Sequence, residues 1–302
     1  MKNPISVVIT TYNSESKIVD CIKSVNFADE VIVVDGSSSD NTPKLAKDNG
    51  AKLVKRPNNP MLNKNKNFGF SQARNEWVLS LDSDERVTPE LKEEILGVVK
   101  DKNEKNGYFV PRKNIIFGKW IEHTGWYPDY QLRLFKKGKG KFAEKHVHEL
   151  LEVDGEIGHL SHPFLHYNYD SVSQFLDKTF KIYTISEAEN LINNGYQAEL
   201  VDAIRMPAKE FLNRYFFGKG FLDGSHGLIL SLLMAFYHLV VFLRVWEAQG
   251  YKDTEENTLL TFEAEFKKVV RDIVFWINQE RVKQTKNIFN KLFLKAKGKI
   301  AK

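Results

Sequence analysis

The sequence predicts an α/β protein, a mostly parallel sheet with helices on both faces, followed by a helical C-terminal region. Three observations carry this prediction. Residues 5–9, 31–34 and 78–81 are mainly apolar runs rich in β-branched side chains, broken only by Ser6 and Ser80, as in strands buried on both faces of a parallel sheet. Helical patterns at 16–25, 44–49 and 66–74 fall between strand patterns, so the two alternate as in βαβ units. After His166-Tyr167-Asn168-Tyr169 the pattern is helical to the end.

Each element has a local reason. The first strand runs into the polar turn Thr10-Thr11-Tyr12-Asn13-Ser14. The second closes in Asp35-Gly36-Ser37-Ser38-Ser39-Asp40-Asn41-Thr42-Pro43, where Pro43 suits the first turn of a helix that Gly50 stops. A short third strand follows at 51–54, and the fourth, 78–81, leads into Asp82-Ser83-Asp84-Glu85. Ligands of parallel sheets bind beyond the carboxyl ends of the strands, so these three polar clusters are expected to share one edge. A helix at 90–99 and a strand at 108–110 precede a stretch rich in aromatics, Gly and His, residues 112–166. That stretch predicts a mixed, partly antiparallel extension that builds the second half of a cleft.

Composition narrows the class. A chain of 302 residues with 42% hydrophobic and 27% charged residues can bury one substantial core plus an appendage. The net charge of +5 does not by itself argue for nucleic acid, and an acidic strand edge would repel a polyanion. The one cysteine, Cys21, excludes an internal disulfide and a Cys-based zinc cluster, and it sits in an apolar helix pattern. The apolar run at the N-terminus is too short for a secretory signal. The first turn lacks Gly-x-Gly-x-x-Gly, which disfavours a dinucleotide-dependent oxidoreductase.

Asp82 and Asp84 are the first candidates for chemistry. In extended backbone they would point the same way and repel each other unless a cation lay between them. A hard divalent ion, Mg²⁺ or Mn²⁺, keeps positions for water and nucleotide phosphates, so the pair points to a bound diphosphate. The bland alternative is an acidic loop before the helix start Thr88-Pro89-Glu90.

Four landmarks in order, Val7-Val8-Ile9-Thr10-Thr11-Tyr12-Asn13, Val33-Val34-Asp35-Gly36-Ser37-Ser38-Ser39-Asp40, Lys66-Asn67-Phe68-Gly69 and Leu81-Asp82-Ser83-Asp84-Glu85, resemble those of the family 2 glycosyltransferases with the GT-A fold. The resemblance covers roughly the first ninety residues. It implies a metal-dependent, inverting hexosyltransferase with a GT-A-type, Rossmann-like sheet and a nucleotide-sugar donor of the UDP-hexose kind. Thr10 and Tyr12 would lie against the base and ribose, and Asp35 would accept a hydrogen bond from uracil or ribose. The family often has a second acid after Asp35, where this chain has Gly36. Lys66 stands where the family has Arg and would face phosphate as a point charge. Asp82 would serve metal and ribose, and Asp84 the metal.

The general base is expected on the acceptor side. Lys145-His146-Val147-His148-Glu149, with Trp126-x-Pro128-Asp129 and Arg133-Leu134-Phe135, resembles the branch containing lipopolysaccharide core glucosyltransferases. That likeness assigns Glu149 as base with Asp129 as its rival, His148 as a metal or phosphate contact, and Arg133 as a phosphate contact. Trp120, Trp126 and Tyr127 are candidate sugar platforms or plain core aromatics. His159, His162 and His166 lack a zinc spacing and read as structural. The expected division is a catalytic domain over 1–169, with a nucleotide-sugar half about 1–100 and an acceptor half about 101–169, then a helical region over 170–302.

In that last region, residues 228–243 are apolar almost all round but fall short of the roughly 20 residues of a comfortable span. An interfacial or re-entrant segment or a buried core helix is therefore expected. Residues 266–302 are strongly basic with an apolar stripe at Ile288, Leu292 and Phe293. Together these predict a peripheral protein on the cytoplasmic face of the inner (plasma) membrane, acting on a lipid-linked or envelope glycan acceptor. A non-catalytic membrane-bound scaffold with a degenerate transferase fold is the alternative, and a homo-oligomer is left open.

Overall fold

The computed structural model describes residues 5–59, 62–101, 104–144, 150–252 and 257–285. The chain divides into two compact units, one of residues 1–122 and 126–170 and one of residues 123–125 and 171–302.

The first unit opens with β1 (Ile5–Thr11), α1 (Ile18–Ser24), β2 (Glu30–Asp35), α2 (Thr42–Asp48), β3 (Lys52–Lys55), α3 (Leu62–Gln72) and β4 (Trp77–Asp82). There follow β5 (Glu85–Arg86), α4 (Pro89–Lys100), β6 (Gly107–Val110), β7 (Arg112–Ile116), β8 (Lys119–Trp120) and β9 (Gln131–Lys136). It ends with β10 (Gly140–Lys141), β11 (Glu152–Val153), β12 (Ile157–His159) and β13 (Phe164–Tyr169). The main sheet has the order β12-β6-β9-β4-β1-β2-β3. Strands β4, β1, β2 and β3 are mutually parallel, as the apolar runs predict, and β9 runs antiparallel to both β4 and β6. A second sheet, β5-β13-β7-β8, carries part of the aromatic stretch, and β10 pairs with β11.

Period-two alternation sends the two sides of each strand into different cores. Ile5, Val7 and Ile9 of β1 join Ile18, Cys21 and Ile22 of α1 and Leu91 and Ile95 of α4. Val8 points the other way, into a cluster with Ile32, Val34, Phe70, Val78, Phe135 and Phe142. Burial pushes the Cys21 thiol pKa well up, with Arg86 opposing, so the cysteine is a packed core thiol. The N-terminus of α4 is held by Thr88, whose hydroxyl accepts from the Leu91 amide with Pro89 at the first helical position. Winding from β1 passes outward through β2 to β3, and β4 then returns to the opposite side of β1. The carboxyl ends of β1 and β4 therefore meet at the point where the direction of winding reverses, which is where such sheets open a crevice.

The second unit is helical: α5 (Val172–Lys178), α6 (Thr184–Asn193), α7 (Asp202–Leu212), α8 (Ser225–Ala248) and α9 (Thr258–Gln284). The apolar run at 228–243 proves to be the middle of α8, a helix of 24 residues with hydropathy 2.2. Its length and composition suffice to cross a membrane, a correction to the expected shortfall, because Ser225, Gly227 and the residues after Leu243 continue the same helix. One side packs on α6 and α7, while Ile229, Leu232, Phe236 and Leu243 remain exposed. The unit also holds residues 123–125. The amide of Thr124 donates to the Gly218 carbonyl (2.8 Å), Arg214 Nη1 donates to the Thr124 carbonyl (2.7 Å), and the His123 amide donates to Asp223 Oδ2 (2.9 Å). Thr124 is fully buried, and a Cβ on Gly220 would stand 2.5 Å from its Cγ2.

Candidate active site

The site is built on the carboxyl ends of β1, β2 and β4. Thr10 and Asp82 are register partners on adjacent strands, and the Thr10 hydroxyl donates to Asp82 Oδ1 (2.9 Å). Lys66, projecting from α3, lies 2.8 Å from Asp82 Oδ1 and donates to Oδ2 at 3.0 Å. Arg133 on β9 donates through Nη2 to Asp82 Oδ2 (3.0 Å) and to Glu85 Oε1 (2.6 Å). The other Glu85 oxygen accepts from the Asp82 amide (2.9 Å). Burial works against the Asp82 charge, but Lys66 and Arg133 together hold its carboxyl well below the usual range. Burial also pushes the Glu85 carboxyl up, with Arg133 opposing.

Two expectations are revised here. Strand β4 ends at Asp82 and the chain turns, so Asp82 and Asp84 do not form a side-by-side pair along one strand. Arg133, expected to contact phosphate, is 5% exposed and is instead the counter-ion of Asp82 and Glu85. The cation beside Asp82 is thus supplied by the chain itself.

Asp84 faces a different group. The Nε2 atom of His166 on β13 lies 3.6 Å from Asp84 Oδ2. The antiparallel pairing of β5 with β13, Leu165 opposite Arg86 and His166 opposite Glu85, brings the two together. Asn114 fixes the ring: its Nδ2 donates to the Trp126 carbonyl (2.7 Å), so its Oδ1 accepts from His166 Nδ1 (2.7 Å). A neutral His166 then presents the Nε2 lone pair toward a carboxylate oxygen, and a proton or a metal ion between them is what joins such a pair. A ring that donates its other N–H to a fixed oxygen has the outer-shell support of a metal-ligating histidine. Among the described residues no group of three or more His, Cys, Asp and Glu converges on one point. The Asp84 and His166 pair fits an ion that takes one carboxylate, one imidazole and the oxygens of a phosphorylated ligand. Grouping His166 with His159 and His162 conceals its place beside Asp84. A polar residue at a buried position between Phe164 and Asn168 on one strand is the signal that marks it.

The loops that follow β1 and β2 hold each other in place. Tyr12, 45% exposed, projects just past β1. Asp35 is buried and accepts from the Ser38 amide (3.1 Å) and hydroxyl (2.5 Å). The loops after β1 and β2 are stitched together: the Asn13 amide donates to Ser38 Oγ (2.8 Å), the Ser39 amide to Asn13 Oδ1 (2.9 Å), and the Ser14 amide to Thr42 Oγ1 (2.7 Å).

Residues 6–151 match the sequence profile of Glycosyl transferase family 2. An uncharacterized glycosyltransferase of Rickettsia typhi is 28% identical over 244 residues, covering 77% of this chain and 83% of its own. The lipopolysaccharide core biosynthesis glycosyltransferase LpsC of Rhizobium meliloti is 25% identical over 258 residues, covering 83% of this chain and 95% of its own. The crystal structure of residues 1–349 of S. aureus TarS superposes with a TM-score of 0.43 at 14% identity, covering 99% of this chain and 88% of that one. The protein is a glycosyltransferase.

The Lys66-Asn67-Phe68-Gly69 stretch ties several parts of the first unit together. Lys66 neutralises Asp82. Asn67 brackets Phe142, accepting from its amide (2.9 Å) and donating to its carbonyl (2.9 Å). Gly69 lets α3 lie against the sheet, since a Cβ there would stand 2.5 Å from Val8 Cγ1 and 2.8 Å from Val34 Cγ2. Asp129 is clamped: Arg112 donates to its Oδ2 through Nε (2.7 Å) and Nη2, and Gln131 donates to Oδ1 (2.8 Å). Trp120 lies under the Lys113 ammonium at 3.9 Å and meets the Tyr127 ring edge to face. The candidates Glu149 and His148 lie outside the described residues.

Proposed function

We propose that the protein moves a hexose from a nucleotide sugar, UDP-hexose by preference, to a lipid-linked or envelope glycan acceptor with inversion at the anomeric carbon. The observation that carries this reading is the convergence of three features. These are the Asp84 and His166 pair, the ion-paired Asp82 and the Tyr12 and Asp35 wall, all but His166 within the residues 6–151 that match the family 2 profile. Tyr12 offers a face to the base, and Asp35 and Thr10 border the ribose. The acceptor oxygen attacks the anomeric carbon as the bond to the diphosphate breaks, the nucleoside diphosphate departs, and the hydroxyl proton passes to a carboxylate. Glu149 is that base in this reading, and Asp129, whose oxygens already accept from Arg112 and Gln131, orients the neighbouring segment. Asp84 with His166, and His148 as a further candidate, would hold Mg²⁺ or Mn²⁺. Such an ion neutralises charge growing on the departing diphosphate. Asp82, Lys66 and Arg133 act beside it as a fixed electrostatic frame.

A relative named for lipopolysaccharide core biosynthesis supports an envelope glycan as acceptor, and the apolar α8 supports a membrane-associated enzyme acting from the cytoplasmic face. The test is a screen of nucleotide sugars for metal-dependent turnover or slow hydrolysis. One UDP-hexose is expected to be consumed only with Mg²⁺ or Mn²⁺ present. Asp84→Asn and His166→Ala should each lower that rate about a hundredfold or more, while Ser83→Ala leaves it unchanged. Turnover that survives Asp84→Asn would overturn the reading.

A further inference from the structure

Helix α9 keeps much of its apolar surface on the outside. Its buried positions are Glu265, Asn278 and Val282, and Trp276 stacks on Phe216, whereas Leu259, Phe262, Phe266, Val270, Val274 and Ile277 face outward, from 37% exposed at Ile277 to 73% at Leu259. These six recur at steps of three or four residues and so form one stripe along the helix. Over 18 residues of α-helix the stripe is about 27 Å long. The inward polar residues are accounted for: Glu265 accepts from Arg205 Nε (2.8 Å) and Nη2 (2.7 Å) and from Lys268 Nζ (2.5 Å). The helix is therefore anchored to its own unit by an ion-pair network, with its apolar side left over for something else. A solvent-facing helix has the reverse arrangement.

The chemistry around the stripe selects the occupant. Exposed Lys267 and Arg271 border it on one side, and both have stems long enough to bring charge to a headgroup layer while lying over apolar surface. Immediately beyond the described helix, residues 286–302 contain six lysines and no acidic residue. An apolar face in a sequence that goes on to carry a run of cations is complementary to a bilayer with anionic headgroups, to which each near-surface cation adds attraction. The charges at Glu263, Lys267, Arg271 and Asp272 keep α9 from crossing the bilayer, so the helix lies along its surface.

We propose that the outward face of α9 is the surface by which this protein lies on an anionic lipid bilayer, with Phe262, Phe266 and Val270 inserted below the headgroups. The proposal rests on the membrane-associated reading above and specifies the face and the lipid class. Flotation of the full chain with vesicles tests it, using phosphatidylcholine alone and phosphatidylcholine mixed with phosphatidylglycerol. The wild-type chain is expected to float with the mixed vesicles, less with the neutral ones, and less again as salt rises. Phe266→Glu/Val270→Glu should lower binding about tenfold or more while UDP-hexose hydrolysis and circular dichroism stay unchanged. Both positions are exposed, so the substitutions do not enter the core. Equal binding by the wild type and this variant would overturn the face assignment while leaving membrane association intact. Failure of the wild type to bind either vesicle would overturn membrane association as well. A wild-type dimer in solution that the variant splits would assign the stripe to a second copy of the chain and overturn the proposal.

Discussion

Arg133 is almost wholly enclosed and carries the only guanidinium that touches both Asp82 and Glu85 among the described residues. Arg133→Leu strands a buried carboxylate, and removing one partner of such a pair costs about 3–5 kcal/mol, to be read from urea unfolding. The pH dependence has a definite sign. Because the folded Asp82 carboxyl is held below its ordinary value, its ion pairs stabilise the protein fully above the normal carboxylate range and are lost as pH falls through and below it. Glu85 is raised and acts in the opposite sense: its contribution is complete at low pH and fades as pH rises through its elevated value. Lys66→Met should therefore flatten the loss of stability on acidification, measured as unfolding free energy against pH. Polar residues that end strands 1, 2 and 4 were legible because the apolar runs stop abruptly at Thr10, Asp35 and Asp82. The partners were not, since Lys66 and Arg133 reach Asp82 from 16 and 51 residues away and only the fold brings them there.

Helix α3 shows the same division one level up. Its existence follows from the helical pattern at 66–74, yet its closeness to the sheet depends on Gly69, over which Val8 and Val34 from two strands converge. Gly69→Ala is expected to lower stability by about 1–3 kcal/mol through overpacking despite the better helix propensity of alanine, with thermal melting as the measurement. The parallel order of β1 to β4 could be read from alternation with helices, because each mainly apolar strand must be covered on both faces. The split of the later strands into two sheets could not. Strands as short as β5, β8 and β10, two residues each, carry too few side chains to show a period. The pairing of β5 with β13 that delivers His166 to Asp84 was hidden for that reason. In α8, mixed residues at both ends obscured a helix of 24 residues behind a shorter apolar run.

At the scale of the whole chain, the three residues 123–125 belong with the helical unit although both flanking stretches belong with the other. Their anchorage is specific: Thr124 has a left-handed backbone (φ 59°), a buried side chain, an amide that donates to the Gly218 carbonyl and a carbonyl that accepts from the Arg214 guanidinium, and His123 is tied to Asp223. The enzyme is consequently not severable at residue 170. A protein cut there would keep a segment whose left-handed turn has lost everything that enforced it, and such turns are sustained only by their surroundings. Limited proteolysis of residues 1–170 should open a new cleavage site around 123–125 that the full chain resists. Whoever wishes to study one unit without the other will need point substitutions, because in this architecture inheritance of the two units is joint.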